Sequence, residues 1–330
     1  MKSVLVIVVT HNGKHWLDRC LGSVSAGGVP ISGTLPAKKA DFDGGVPKNG
    51  TLPAVQADLY VWDNDSSDGS ADFVAANYPK AHLVRSADNL GFAQPNNAGM
   101  QYALDKGYDY VYLLNQDAWL EPGALETLVA VSQANPDYAV LSPLQMTDEY
   151  KELDKQFAKR LPVKPAMTST KPAMTSTKPA MTSNESCPAP TGHPLSVPFV
   201  MAAHWLVPVK AIREIGLFDQ GLFPMWGQDD DWCNRARYKG YKIGVVPEAR
   251  AAHDRQYREE PKEKLIKRNY YIGSLVRLCD LNRPLWERFM SVCLFTLVKT
   301  VKYCSILPLK YFRTICSQLP EVKEHRKNCR

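Results

Sequence analysis

Short apolar stretches alternate with amphipathic ones along the first third of the chain. Residues 2–10, 59–65, 82–86 and 110–116 are rich in β-branched and aromatic types and each ends in polar residues, which predicts four strands. Helical periodicity covers about 14–24, about 68–77 with Asp68 and Ser70 near its start, and about 95–106 with Pro95 in its first turn. Strand and helix in this alternation predict an α/β fold: a doubly wound, mostly parallel sheet flanked by helices. In such sheets ligands gather at the carboxyl ends of the strands. Farther along, residues 197–209 read as strand, followed by a short helix through Ile215 with Gly216 as its stop. A helix over about 230–239, closed by Gly240, precedes a strand over 242–253. Two helices follow, about 262–281 and 285–304, separated by Pro284.

Two internal repeats interrupt the alternation. Gly27 to Phe42 recurs at Gly44 to Leu59, and KPAMTST at 164–170 recurs at 171–177 and in part at 178–183. Neither period builds a solenoid unit. Their Gly, Pro and Thr content marks tandem expansions in surface loops over 27–59 and 164–183.

Composition narrows the class. The chain has 330 residues, 45% hydrophobic and 22% charged, enough for one large domain with an appendage. The opening apolar run, Val4 to Val9, is too short for a secretory or membrane-spanning segment and fits a buried first strand. Eight cysteines without a CxxC pair point away from zinc sites and disulfide frameworks, toward a reducing cytosol. Residues 256–330 hold 16 Lys and Arg against 7 Asp and Glu, a net +9, so the first 255 residues are mildly acidic. No nucleic-acid motif accompanies that charge. From Leu285 to Cys304, Glu287, Arg288, Ser291, Lys299 and Lys302 share one side of a helix whose remainder is mostly apolar. Such a basic amphipathic helix either lies on an anionic membrane surface or packs its apolar face on the domain.

Four polar clusters sit at predicted strand ends: Thr10-His11-Asn12-Gly13, VWDNDSSDGS at Val61 to Ser70, NLGFAQPNNAG at Asn89 to Gly99, and LLNQDAWL at Leu113 to Leu120. Singly, each suits a turn or helix cap. Four at successive strand ends converge on one crevice. In order and spacing they resemble glycosyltransferase family 2, inverting enzymes of the GT-A fold, and rhamnosyltransferase-like members of bacterial polysaccharide synthesis in particular. The resemblance continues in Gly216-Leu217-Phe218-Asp219, in GQDDDWCNR at Gly227 to Arg235, and in Val246-Pro247-Glu248-Ala249 with His253.

The resemblance implies a nucleotide-sugar donor, a glycan or lipid-linked acceptor, and inversion in a single displacement. Asp63 would bind the donor's base or ribose, with Thr10, Asn12 and Asp65 in the same pocket and Asn89, Gly91 and Asn97 close to the nucleotide. Asp117 would ligate Mg²⁺ or Mn²⁺, with His253 as a further ligand, to stabilise charge on the diphosphate leaving group. Asp229 would be the general base. Asn115 has two readings, donor contact or strand-end cap. Gln228 stands where the family has Glu. Asp230 reads as plain helix N-terminal charge, and Asp231 as a helix cap or the i+4 partner of Arg235. Trp205, Trp226 and Trp232 line the acceptor cleft or pack in the core.

The implied organisation is a glycosyltransferase domain over 1–255 and a helical basic tail over 256–330, at the cytoplasmic side and in contact with the inner face of the membrane. The alternative function is a non-catalytic nucleotide- or glycan-binding relic. A sugar-phosphate nucleotidyltransferase would need a Gly-rich loop where Thr10 to Gly13 stands.

Overall fold

A computed structural model describes residues 1–24, 52–147, 150, 152–159, 161, 193–255 and 261–329. The first strand, β1 (Lys2–Thr10), leads into α1 (Lys14–Gly22), β2 (Val55–Asn64), α2 (Ser70–Asn77), β3 (His82–Ser86), α3 (Ala93–Lys106) and β4 (Tyr110–Asn115). Then come β5 (Ala118–Leu120), α4 (Ala124–Ala134), β6 (Tyr138–Met146), α5 (Lys155–Ala158) and β7 (Leu195–Val197). The remaining sheet elements are β8 (His204–Pro208), α6 (Val209–Ile215), α7 (Gln228–Tyr238) and β9 (Lys242–His253). Helices close the chain: α8 (Lys262–Ile266), a π-helical turn (Lys267–Ile272), α9 (Gly273–Cys279), α10 (Leu285–Tyr303), α11 (Leu307–Ser317) and α12 (Leu319–Asn328).

Among the described residues the strands form one sheet in the order β3-β2-β1-β4-β8-β6-β9-β5, with β7 on β9. The first four strands are parallel throughout. Beyond β4 the sheet is mixed: β8 runs antiparallel to β4 and β6, β9 parallel to β6, and β5 and β7 antiparallel to β9. The predicted α/β sheet with flanking helices and a helical C-terminus is therefore present, with an all-parallel part in the first four strands and one further parallel pair, β6 with β9.

Side-chain alternation along β1 builds a core on each face. Leu5 and Ile7 join the side covered by α3, α6 and α7, whereas Val4, Val6 and Val8 join the side covered by α1 and α4. A third cluster unites Leu222 and Phe223 with residues of α9 to α12, so the C-terminal helices pack on the loop before α7.

Several local expectations change. Val55 to Leu59, the end of the second repeat copy, is not loop but the first half of β2, paired with β1 from Val55 onward. The rest of that repeat through Thr51, and the whole of 164–183, lie outside the described residues. The strand expected at 197–209 shrinks to β8, because the preceding residues turn away to form a cavity wall. The helix expected over 262–281 is broken by the π turn. Four elements between 118 and 158, together with α11 and α12, have no sequence-based expectation; β6 is buried at all nine positions and so lacks the alternation that signals a strand.

Part of the apolar surface of α10 packs inward, with Val292 in the third core cluster and Phe289 and Phe295 against it, and the rest faces outward. Trp286, Met290, Leu294, Leu297, Val298 and Val301 are 54–77% exposed and share one side of the helix. Of the polar residues, Arg288 instead pairs with Asp280, and Lys299 lies over Phe295 and Tyr303. Among the described residues no helix is long and apolar enough to cross a membrane.

Helix α3 approaches β1 closely because Gly99 faces Ile7. A Cβ at Gly99 would lie 2.7–2.9 Å from three Ile7 side-chain carbons. Gly99→Val should therefore lower the chemical-denaturation midpoint, with a cost of about 1–3 kcal/mol for overpacking. A midpoint equal to that of the wild type would show that α3 can stand off β1 freely.

Candidate active site

Register brings the sequence clusters together. Thr10 is level with Asp63 across β1 and β2, and Val9 is level with Asn115 across β1 and β4. Three polar strand ends thus meet at one edge of the sheet. Thr10 Oγ1 and the His11 amide both donate to Gln116 Oε1, at 2.8 and 2.9 Å. Asp63 is buried; its Oδ1 accepts from the Ser66 amide at 3.0 Å, while Oδ2 has no partner among the described residues. Asn12 and Asp65 both take positive φ, 51° and 65°, as Asx residues in tight turns do. Asn12 Oδ1 accepts from the Ser67 amide at 2.8 Å, bridging the first two strand ends.

Asn64 joins the third cluster. Its amide nitrogen donates to Asn89 Oδ1 and to the Gly91 carbonyl, at 2.9 and 2.8 Å, and its oxygen accepts from the Leu90 amide at 2.8 Å. Gly91 adopts φ +79°, and a Cβ there would sit 2.7 Å from the Pro224 carbonyl oxygen. The same oxygen accepts from the Phe92 and Ala93 amides, so the glycine segment is clasped to the loop before α7.

An open cavity of ≈ 1420 Å³ lies beside this edge. Asn115, Asp117 and His253 line it, as do Asp229 and Asp230 at the start of α7, Trp226, and Arg268 from the π turn. Antiparallel pairing of Ala118 with His253 places that histidine beside Asp117. His253 Nε2 is 3.4 Å from Asp117 Oδ1, and its buried Nδ1 has no partner among the described residues. An aspartate oxygen and an imidazole nitrogen at this separation suit a divalent cation that takes its other ligands from phosphate and water.

The three carboxylates of α7 divide between cavity and core. Asp229 Oδ1 accepts from the Asp230 amide at 2.9 Å, and its Oδ2 is 3.4 Å from the Ala202 amide on the cavity wall. Asp231 is fully buried and bonds Arg235 Nε at 2.8 Å, the expected i+4 pair. Burial alone would raise its carboxyl, but the Arg235 charge and His325 more than offset that and hold it low. Gln228 is buried, its carbonyl oxygen without a partner among the described residues.

Of the residues singled out from sequence, Asn115, Asp117, Asp229 and His253 share the cavity. Thr10, Asn12, Asp63, Asp65, Asn89 and Gly91 form the adjoining strand-end cluster. Asn97 belongs to neither: its amide donates to the Phe218 carbonyl and its oxygen accepts from the Phe218 amide, both at 2.9 Å. Trp226 lines the cavity, whereas Trp205 and Trp232 are core. His204 is a core histidine, bonded to Tyr112 Oη and the Ala252 carbonyl; burial, then nearby His253, lowers it to about 3, so it is neutral. Sequence reasoning missed Gln116 and Asn64 as braces, although both lie inside motifs it quoted. It also missed His325, which carries no local signal.

Residues 49–186 match the family model described as Glycosyl transferase family 2. No curated protein matches the sequence. Among solved structures, S. aureus TarS 1-349 is similar at 15% identity, covering 88% of this chain and 68% of that one with a TM-score of 0.51. GalNAc-T7 with UDP, GalNAc and Mn2+ is 15% identical over 86% of this chain and 52% of its own, at a TM-score of 0.49. TarS 1-349 in complex with UDP-GlcNAc gives 14%, 88%, 70% and 0.49 for the same measures. Such low identity to solved structures speaks for the fold alone. The matched segment, residues 49–186, is similar to glycosyltransferase family 2, and the chain has the GT-A fold.

Proposed function

We propose that the chain transfers a sugar from a nucleoside-diphosphate sugar to a hydroxyl of a glycan or lipid-linked acceptor, with inversion, in cell-surface polysaccharide synthesis. One observation carries this reading. Asp117 and His253 stand 3.4 Å apart in the same cavity that Asp229 enters from α7. A cation-binding pair and a carboxylate base lining one cavity are the parts that a single displacement requires.

Asp63, whose buried Oδ2 has no partner among the described residues, would accept from a ribose hydroxyl or base N–H. Thr10, Asn12, Asp65, Asn89 and Gly91 shape the same end of the donor pocket. Asn115 reaches the cavity and is read as a donor contact. Asp117 and His253 would hold Mg²⁺ or Mn²⁺, which when bound neutralises charge growing on the diphosphate leaving group. Asp229 takes the acceptor hydroxyl proton as the oxygen attacks the anomeric carbon. Buried Asp231, neutralised by Arg235, is withdrawn from that task.

The outward side of α10 fits an anionic lipid leaflet. Six exposed apolar residues lie along one side of the helix, with Ile306 and Leu309 exposed beyond it. Residues 256–330 carry a net +9, including Lys302 on α10 and Lys310 on α11. Apolar insertion plus attraction to acidic headgroups is how an interfacial helix binds. A surface of this kind would bring the cavity to a lipid-linked acceptor.

A panel of nucleotide sugars, assayed for nucleotide release with and without acceptor, tests the reaction. Transfer should stop with a chelator and return with Mn²⁺ or Mg²⁺; full transfer after exhaustive chelation would remove the cation from the reading. Asp229→Asn should cost on the order of 10²–10⁴ in turnover, with donor affinity little changed. Asp230→Asn should be nearly silent. Release of no nucleotide under any condition would favour the non-catalytic relic.

For the tail, Leu294→Glu with Val301→Glu should abolish co-sedimentation with phosphatidylglycerol vesicles while leaving the fold intact. Full-length binding should weaken as salt rises. Undiminished binding by the variant would show that the stripe does not meet lipid; a dimer of wild type lost in the variant would assign it to a second copy.

A further inference from the structure

The last helix reaches back to the first turn of α7. His325, on α12, places Nδ1 2.6 Å from Asp219 Oδ2 and Nε2 2.9 Å from Asp231 Oδ1. Both ring nitrogens face carboxylate oxygens, which only a ring carrying both protons can satisfy. Asp231 Oδ2 accepts from Arg235 Nε, and the Arg235 guanidinium also donates to the Ile215 and Leu217 carbonyls at the end of α6. Asp219 Oδ1 accepts from the Gly221 and Leu222 amides. Two anions and two cations therefore alternate in one chain, and together they neutralise one another where three of the four side chains are almost wholly buried. Next to His325, Arg326 donates to the carbonyls of Leu278, Asp280 and Arg283, which seats α12 against the end of α9.

Asp231, Cys279 and His325 offer ligand atoms within 4.8 Å of one another. A metal there is disfavoured, because Asp231 already takes N–H donors on both oxygens and burial holds the Cys279 thiol well above its ordinary range.

On a helix, residues two apart point about 200° from each other. Fixing Asp231 toward the core therefore directs Asp229 to the opposite side, where the cavity lies. We propose that His325 is a positioning residue for the base: across 94 residues of chain it locks the rotation of the first turn of α7 and so presents Asp229 to the acceptor. The proposal rests on Asp229 being the base, and it makes the C-terminal helix a part of the active site's support.

The groups facing His325 set a pH signature. They are Asp219 from the loop before α7, Asp231 from α7, Cys279 from α9, and Cys329 just past the end of α12. Burial alone would lower the imidazole; the bonds to Asp219 and Asp231 more than reverse this and push it up to about 11. A raised folded-state value means that the lock is complete below the ordinary value of 6.5 and is lost as pH rises through about 11. Removing the Asp219 charge lowers the imidazole and moves that loss to lower pH.

The test compares full-length His325→Ala, Asp219→Asn and Asp229→Asn with the wild type. Readouts are hydrogen exchange of amides 228–232, turnover with the donor selected by the panel, UDP and dTDP affinity, and rescue by added imidazole. In His325→Ala, exchange over 228–232 should quicken and turnover fall at least tenfold, with nucleotide affinity within twofold and imidazole restoring part of the loss. In Asp219→Asn the alkaline limb of turnover should shift downward in pH. Wild-type exchange and turnover in folded His325→Ala would overturn the proposal. Should that variant fail to fold, an unmoved alkaline limb in Asp219→Asn would overturn it instead. Full turnover by Asp229→Asn would sink the base assignment itself, and the exchange result would still report whether His325 locks α7. If no donor turns over, unchanged exchange in both lock variants is the overturning result.

Discussion

Everything at the site depends on the strand register at β1. Its parallel pairing with β2 from Lys2 to Thr10, and with β4 from Val4 to Val9, ends three strands at the same level. A slip of one residue would exchange the two faces of β1, sending Val4, Val6 and Val8 to the side of Leu5 and Ile7 and dismantling both cores. The hydrophobic pattern thus fixes the register, and the register assembles Thr10, Asp63 and Asn115 without any of them attracting the others.

The second half of the sheet completes the site by a different device. Antiparallel return of β9 onto the three-residue β5 sets His253 beside Asp117. The segment before β8 forms the facing wall, and α7 enters with Asp229. The two halves are stitched where the Pro224 carbonyl accepts from the Phe92 and Ala93 amides. Only a glycine at 91 lets that carbonyl come so near. Behind α7, His325 of α12 joins Arg235 of α7 itself in holding Asp231 inward.

The parallel half was legible in the sequence because each strand there is short, apolar and punctuated by Asx-rich turns. Residues 2–10 and 82–86 were bounded correctly for that reason. The buried strand β6 offers no alternation, and β5 is three residues long, so neither announces itself. Asp117, His253 and Asp229, singled out through the family resemblance, line one cavity. The resemblance could not distinguish Asn97, whose amide is spent on Phe218, from a ligand-facing asparagine. Nor could it find His325, because a partner 94 residues away leaves no periodic trace. On α10 the sequence showed an amphipathic helix with two readings, and the fold turns Val292 and Thr296 inward and Trp286, Leu294 and Val301 outward.

The pairing of Asp117 with His253 is the centre of the proposed chemistry, and it can be read without turnover. Electron spin-echo spectroscopy of Mn²⁺ added to the protein with UDP or dTDP detects an imidazole nitrogen bound to the ion. One such nitrogen should appear in the wild type and vanish in His253→Ala, with the Mn²⁺ signal itself weakened in Asp117→Asn. An unchanged nitrogen signal in His253→Ala, or Mn²⁺ bound equally well without Asp117, would place the cation elsewhere and contradict the site as described.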